Sequence, residues 1–273
     1  MFYDIMGVKD IHPHPRILLD IPRYQPKNGK NMTRKLYLDD TYQFHFESFI
    51  TKIDKDERGV FITLDASAFY PQGGGQPSDQ GIIKNDHFEI TVSAVAQIND
   101  ELRHYTSHLT KDIPLESKIY GLVNQERRLL NARYHSAGHL IGNVVEICYP
   151  HLKATKGHSF PKEAYISFAK ANPTTQPDTQ LDAAHIQDAI NTAIARNDKT
   201  RVFEMDPKSF EQQFYTLPYS IPEHKKFRVM QIGNMPPVPC GGTHVSFLKE
   251  LDSVRIGKIK SNNNCVRISY DVA

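Results

Sequence analysis

Residues 124–150 read NQERRLLNARYHSAGHLIGNVVEICYP, and the spacing of their apolar side chains predicts one long amphipathic helix. Leu130, Tyr134, Ala137, Ile141, Val144 and Cys148 recur at steps of three or four before Pro150 stops the pattern. Upstream, from Lys35 to about Pro114, the texture differs. Short stretches rich in aromatic and β-branched residues (YQFHFESFITKI, GVFITLD, GIIKNDHFEITVSAV, ELRHYTSHLT) alternate with turn signals, which predicts a small β-barrel. Downstream, LDAAHIQDAINTAIARN predicts a second helix, and TRVFEM, KFRVMQI, RIGKIK and CVRISYDV predict strands. The expected class is α+β: an N-terminal barrel over residues 32–116, then an α/β domain over 117–273 with helices packed on a mostly antiparallel sheet. Residues 1–31, with four prolines between 11 and 31 and no lasting periodicity, read as an extended leader, and Met32 reads as a candidate native start.

At 273 residues, 39% hydrophobic and 23% charged, the chain can bury two ordinary cores and falls outside the disordered range. It has no run of about 18 apolar residues and no signal-like N-terminus, so neither a spanning helix nor secretion is expected. Three scattered cysteines, Cys148, Cys240 and Cys265, argue for free thiols in a reducing compartment, hence a cytoplasmic address. Net charge is only +2, but its distribution is uneven: residues 32–116 carry 8 positive and 14 negative charges, residues 225–270 carry 8 and 2. A polyanion is expected to approach the C-terminal part.

Three constellations carry chemistry. On the first helix His135 and His139 stand four apart and share a face, so both can reach one ion. Ser136 occupies the place where a zinc protease of the HExxH type has its glutamate, which removes that reading. In VPCGGTHV, Cys240 and His244 are again four apart, with Gly241 and Gly242 allowing a tight turn. Together the four make a Cys1His3 set chemically suited to a single zinc ion. The third, SAFYPQGGGQPSDQG (67–81), packs four glycines and two prolines between strands. It can present backbone N–H groups of Gly73, Gly74 and Gly75 to a ligand, or serve as an ordinary connection. It lacks the Lys-Ser/Thr ending of a phosphate-binding loop, so nucleoside triphosphate binding is not expected.

In this order and separation the motifs resemble the AlaX alanyl-tRNA editing proteins and the editing region of alanyl-tRNA synthetase. The resemblance runs from about Arg34 to Tyr270 through LYLDDTY, AFYPQGGGQPSDQG, RYHSAGHL and CGGTH. The glycine-rich motif is similar to that of the medium and large AlaX forms. The resemblance implies an ATP-independent, free-standing aminoacyl-tRNA deacylase that removes serine, and in some members glycine, from alanine tRNA in the service of translation fidelity. It implies His135, His139, Cys240 and His244 as the zinc ligands and catalytic centre, with four ligands leaving no open coordination position. The family's usual acidic or threonine residue after the first histidine is Ser136 here, a departure that bears on pocket shape.

A pocket that accepts serine but spares the smaller alanine has to read the hydroxyl by hydrogen bonding rather than by size. Thr155, Lys156 and His158, in ATKGHSF, align with a pocket segment of the family, and Gln76 joins them as a substrate-binding candidate. Arg127, Arg128 and Arg133 on the first helix, with the basic C-terminal region, are candidates for phosphates of the tRNA acceptor end. Two rival readings stay open: editing of another tRNA, such as threonine tRNA, and a non-enzymatic zinc-containing tRNA-binding module. The residues leave the oligomeric state undetermined.

Overall fold

The computed structural model describes residues 32–107, 113–170, 181–215, 221–222, 225–262 and 264–273. The expected leader over 1–31 lies outside them. Residues 45–123 form a seven-stranded antiparallel sheet ordered 89–92, 81–84, 118–123, 45–56, 59–64, 101–106, 94–98. Its long strand, His45–Asp56, pairs with Lys118–Val123 through its first half and with Gly59–Leu64 through its second, with a register shift between Ile50 and Lys52. The expected barrel is not closed among the described residues. Its two edge strands, 89–92 and 94–98, are joined by Ser93 alone. Lys118–Val123 hydrogen-bonds both His45–Phe49 and Gly81–Lys84 as an interior strand of this sheet.

Helix α1 spans Gln125–Cys148, and Asn124 caps it by accepting from the backbone N–H of Arg127. Of its 24 residues 14 are buried, more than one amphipathic stripe requires. Its first turn meets Thr41, Ala68, Ser78 and Asp79 of the N-terminal part, and its length packs against α2 and a second sheet. Helix α2, Ala183–Arg196, is capped by Asp182 and ends at Asn197 in the left-handed conformation. Helix α3, Pro207–Gln213, starts with proline at a position where no N–H is missed.

Under α1 and α2 lies a four-stranded antiparallel sheet ordered 152–158, 165–170, 265–272, 254–261. Alternation sends Ile166, Phe168, Val266, Ile268 and Tyr270 into a core shared with Leu140, Ile141, Val144 and Ile186 of the helices. A separate three-stranded sheet, 200–205, 227–232 and 238–239, leads into the CGGTHV turn. Strands 152–158 and 165–170 are absent from the expectations: only Leu152 in the first is fully buried, so it lacks an alternating pattern. No described helix is long and apolar enough to cross a membrane.

Candidate metal centre

Helix α1 and the loop after strand 238–239 bring the two half-sites together. One donor atom from each of His135, His139, Cys240 and His244 falls in a cluster whose members all lie within 4.8 Å of one another. Cys240 Sγ is 3.5 Å from His135 Nε2, and the three imidazole centroids stand 4.6 to 5.2 Å apart. His135 and His244 are buried while His139 and Cys240 are half-buried, so the centre opens on their side. The Nε2 atoms of His139 and His244 are buried with no hydrogen-bond partner, a cost that a bound cation would remove.

Burial depresses all three imidazoles, reinforced by charge nearby. His139 is held at about 4, and His135 and His244 lie well below the usual histidine range; the Arg228 guanidinium opposes protonation of all three. Neutral imidazole is the ligating form. Burial pushes the Cys240 thiol up to about 11, while the Gly242 N–H and Arg228 pull the other way. Arg228, on strand 227–232, donates from Nη1 to the Cys240 carbonyl at 2.7 Å and keeps a positive charge beside the cluster.

Sequence reading missed what holds the ligands in place. Gln76 is fully buried; its Oε1 accepts from His135 Nδ1 at 2.7 Å and from the Thr243 N–H at 3.1 Å, and its Nε2 donates to Thr243 Oγ1 at 2.8 Å. It therefore fixes the His135 tautomer that turns Nε2 toward the cluster. Gln76 is thus corrected from a pocket residue to a positioning residue, because every polar atom of its amide is engaged inside the protein. Ser136, the departure from the family pattern, accepts from the Val245 N–H at 3.1 Å and lies 3.5 Å from His244 Nδ1, linking the helix to the second half-site. Gly242 is required by contact: a Cβ there would sit 2.1 Å from the His135 ring. The signal for Gln76 was its place directly after three glycines, but only the fold shows which motif it meets.

With this geometry established, the family described as tRNA synthetases class II (A) matches residues 33–127. The alanyl-tRNA editing protein AlaX-L of Pyrococcus horikoshii is 31% identical over 242 residues, covering 88% of this chain and 58% of that protein. The AlaX-M protein of Methanosarcina barkeri is 26% identical over 247 residues, covering 88% of this chain and 98% of its own length. Over most of its length the chain is thus similar to AlaX alanyl-tRNA editing proteins. An alanine–tRNA ligase from Ignicoccus hospitalis is 26% identical over 242 residues, which are 26% of the ligase. The chain thus spans nearly all of one AlaX form, little more than half of another and a quarter of a ligase.

In this chain the glycine loop is a bridge between the two sheets. Gly73 and Gln76 exchange backbone hydrogen bonds, the Gly73 carbonyl accepts from the Tyr70 hydroxyl, and Gly74 and Gly75 have positive φ. The Gly75 carbonyl accepts from the Ser159 N–H, and a Cβ on Gly75 would lie 2.3 Å from the Gly157 carbonyl oxygen. Thr155 and Lys156 are exposed on the edge strand 152–158, which runs beside α1: Ala154 faces Gly142, one turn beyond His139. His158 instead stacks between Phe160 and Tyr165.

The three arginines separate. Arg127 is partly exposed and donates to the Ser78 carbonyl at 2.8 Å. Arg128 is completely buried, paired with Asp79 and donating to the carbonyls of Thr41 and Ala68, so it is corrected from a phosphate contact to an internal clamp. Arg133 is committed to the carbonyls of Leu251 and Ala273.

Proposed function

We propose that this chain hydrolyses the ester joining a mistaken amino acid, chiefly serine and also glycine, to the acceptor end of alanine tRNA. The observation that carries the reading is the four-ligand cluster between α1 and the CGGTHV turn, in a chain whose relatives are named alanyl-tRNA editing proteins and alanine–tRNA ligases. Three imidazoles and a thiolate suit zinc, and the partnerless Nε2 atoms of His139 and His244 fit one ion. When bound, the ion supplies Lewis acidity or a fixed charge at the ester.

An aminoacyl ester is already reactive, so the chain has mainly to orient the carbonyl and a water and to hold the terminal nucleotide. Gln76 and Ser136 keep the donor atoms in place. Arg228 adds a positive charge beside Cys240, favouring negative charge that develops at the carbonyl. Thr155 donates its own proton to the Ser167 carbonyl at 3.2 Å, which leaves its oxygen lone pairs to accept from the hydroxyl of serine. Alanine offers nothing in return, and a polar partner left unpaired discriminates more strongly than a size difference of one atom. Lys156, next along the same edge, faces solvent and suits a phosphate.

The test is release of serine from alanine tRNA charged with serine, run beside correctly charged alanyl-tRNA, mischarged threonine tRNA and a Cys240→Ala variant. We expect loss of serine from alanine tRNA alone, reduced at least about tenfold by the substitution. Binding of tRNA without any release would favour the non-enzymatic zinc-containing module, and preferential release from threonine tRNA would favour the other rival.

A further inference from the structure

The face of the four-stranded sheet turned away from α1 and α2 carries a groove that the proposed chemistry does not use. Lys162, Tyr165, Arg255, Lys258, Lys260 and Arg267 line it, and all five cations are exposed. None of the five forms an ion pair among the described residues. The acids at the groove are Glu163 and Asp271, and Asp271 already accepts from the Tyr134 hydroxyl. Five exposed positive charges close together on one face set up a positive potential that attracts a polyanion.

Two features shape the groove. Strand 254–261 carries a register shift between Ile256 and Ile259, and the Ser269 hydroxyl donates to the Lys258 carbonyl at 3.0 Å, pinning the bulge that presents Lys258. A row of planar groups runs into it: Phe160 and His158 stack with centroids 4.4 Å apart and planes within 4°, His158 and Tyr165 stack at 5.2 Å, and the Arg267 guanidinium lies 4.2 Å over the Tyr165 ring. Behind the row, on the core side of the sheet, a hydrogen-bonded link reaches α1. Ser159, next to His158, hydrogen-bonds the Tyr270 hydroxyl, which in turn donates to the carbonyl of Tyr134, the residue before His135.

We infer that this groove holds an RNA strand on the side of the sheet away from the metal helix, with the lysines and arginines meeting phosphates and the end of the Phe160–His158–Tyr165–Arg267 row receiving an unstacked base or ribose. A half-buried row of planar groups flanked by exposed cations suits a single-stranded RNA end, which offers both bases to stack and phosphates to pair, whereas an acidic protein partner offers only the charge. The inference rests on the proposed function and names the part of the chain that holds the tRNA away from the reacting ester.

The test compares the intact enzyme with a Lys258→Glu/Lys260→Glu variant on two substrates: whole alanine tRNA charged with serine, and the small ester 3′-O-seryl-adenosine, which cannot reach the groove. For whole tRNA the variant should raise KM about tenfold at 0.15 M salt and flatten the salt dependence of binding by about 1.5 units of slope, with kcat little changed. Hydrolysis of the small ester should stay within about twofold, which also shows that the variant is folded. Unchanged KM and salt slope on whole tRNA would overturn the groove assignment. If neither protein hydrolyses either ester but the intact protein binds tRNA with the steeper salt slope, the groove stands and the editing reading fails.

Discussion

Gln76 joins motifs far apart in the chain: its amide meets Thr243, 167 residues away, and His135, 59 residues away. An amide that accepts from a ligating histidine sets which ring nitrogen carries the proton, and hence which is free for the ion. Gln76→Leu, close in size but without hydrogen bonds, should lower metal affinity about 10- to 100-fold while leaving the fold intact, as read by competition with a coloured chelator and by circular dichroism. Affinity equal to that of the unaltered protein would show that His135 needs no such support. Gly242 works at the same scale by being small, since any side chain would occupy the place of the His135 ring.

Among the elements, strand 101–106 of the N-terminal sheet is tied to its neighbours by a buried histidine. His104 Nδ1 donates to the Ile62 carbonyl at 2.9 Å, so its neutral Nε2 accepts from the Ser67 hydroxyl at 2.8 Å, and Ser67 Oγ accepts from the Phe69 N–H at 3.1 Å. Burial holds His104 at about 4, below its unfolded value near 6.5. The unfolded chain therefore binds the extra proton first, and the contribution of this residue to stability is whole above about pH 6.5 and is lost as pH falls toward 4. The expected slope is about 1.4 kcal/mol per pH unit. Replacing His104 with glutamine should remove one proton from the pH dependence of unfolding measured with urea between pH 6.5 and 4.5; an unchanged slope would place the titration elsewhere. The buried histidines of the metal centre shift in the same direction, so the comparison has to be a difference between the two proteins at constant metal.

At the scale of the whole molecule, the Arg128–Asp79 pair couples the two halves. Both side chains are fully buried, and Arg128 reaches the carbonyls of Thr41 and Ala68 from a helix that also carries His135 and His139. The sheet, the glycine loop and the metal helix are therefore held as one unit. Breaking only one partner leaves a buried charge unpaired, so Asp79→Asn should cost about 3–5 kcal/mol in urea unfolding, while Asp79→Leu with Arg128→Met should recover much of that loss. A loss under about 0.5 kcal/mol for Asp79→Asn would mean that water reaches the pair.

Local patterns alone determined much of this protein. The period from Leu130 to Cys148 marked α1, the segment LDAAHIQDAINTAIARN marked α2, and two four-residue spacings marked the candidate ligand pairs, because helical periodicity and side-chain spacing are short-range properties written in neighbouring residues. The seven strands of the N-terminal sheet were legible as a β-rich region, but its open edges were not, since closure depends on which strands pair rather than on which residues favour extension. The strand at 152–158 stayed hidden because an edge that faces solvent shows no alternation. Only the tertiary structure decided where Gln76, Ser136, Arg128 and the basic groove stand. Each of those placements depends on what lies across the fold, and a polar side chain has the same local signature whether it is buried in a clamp, orients a ligand or meets a phosphate.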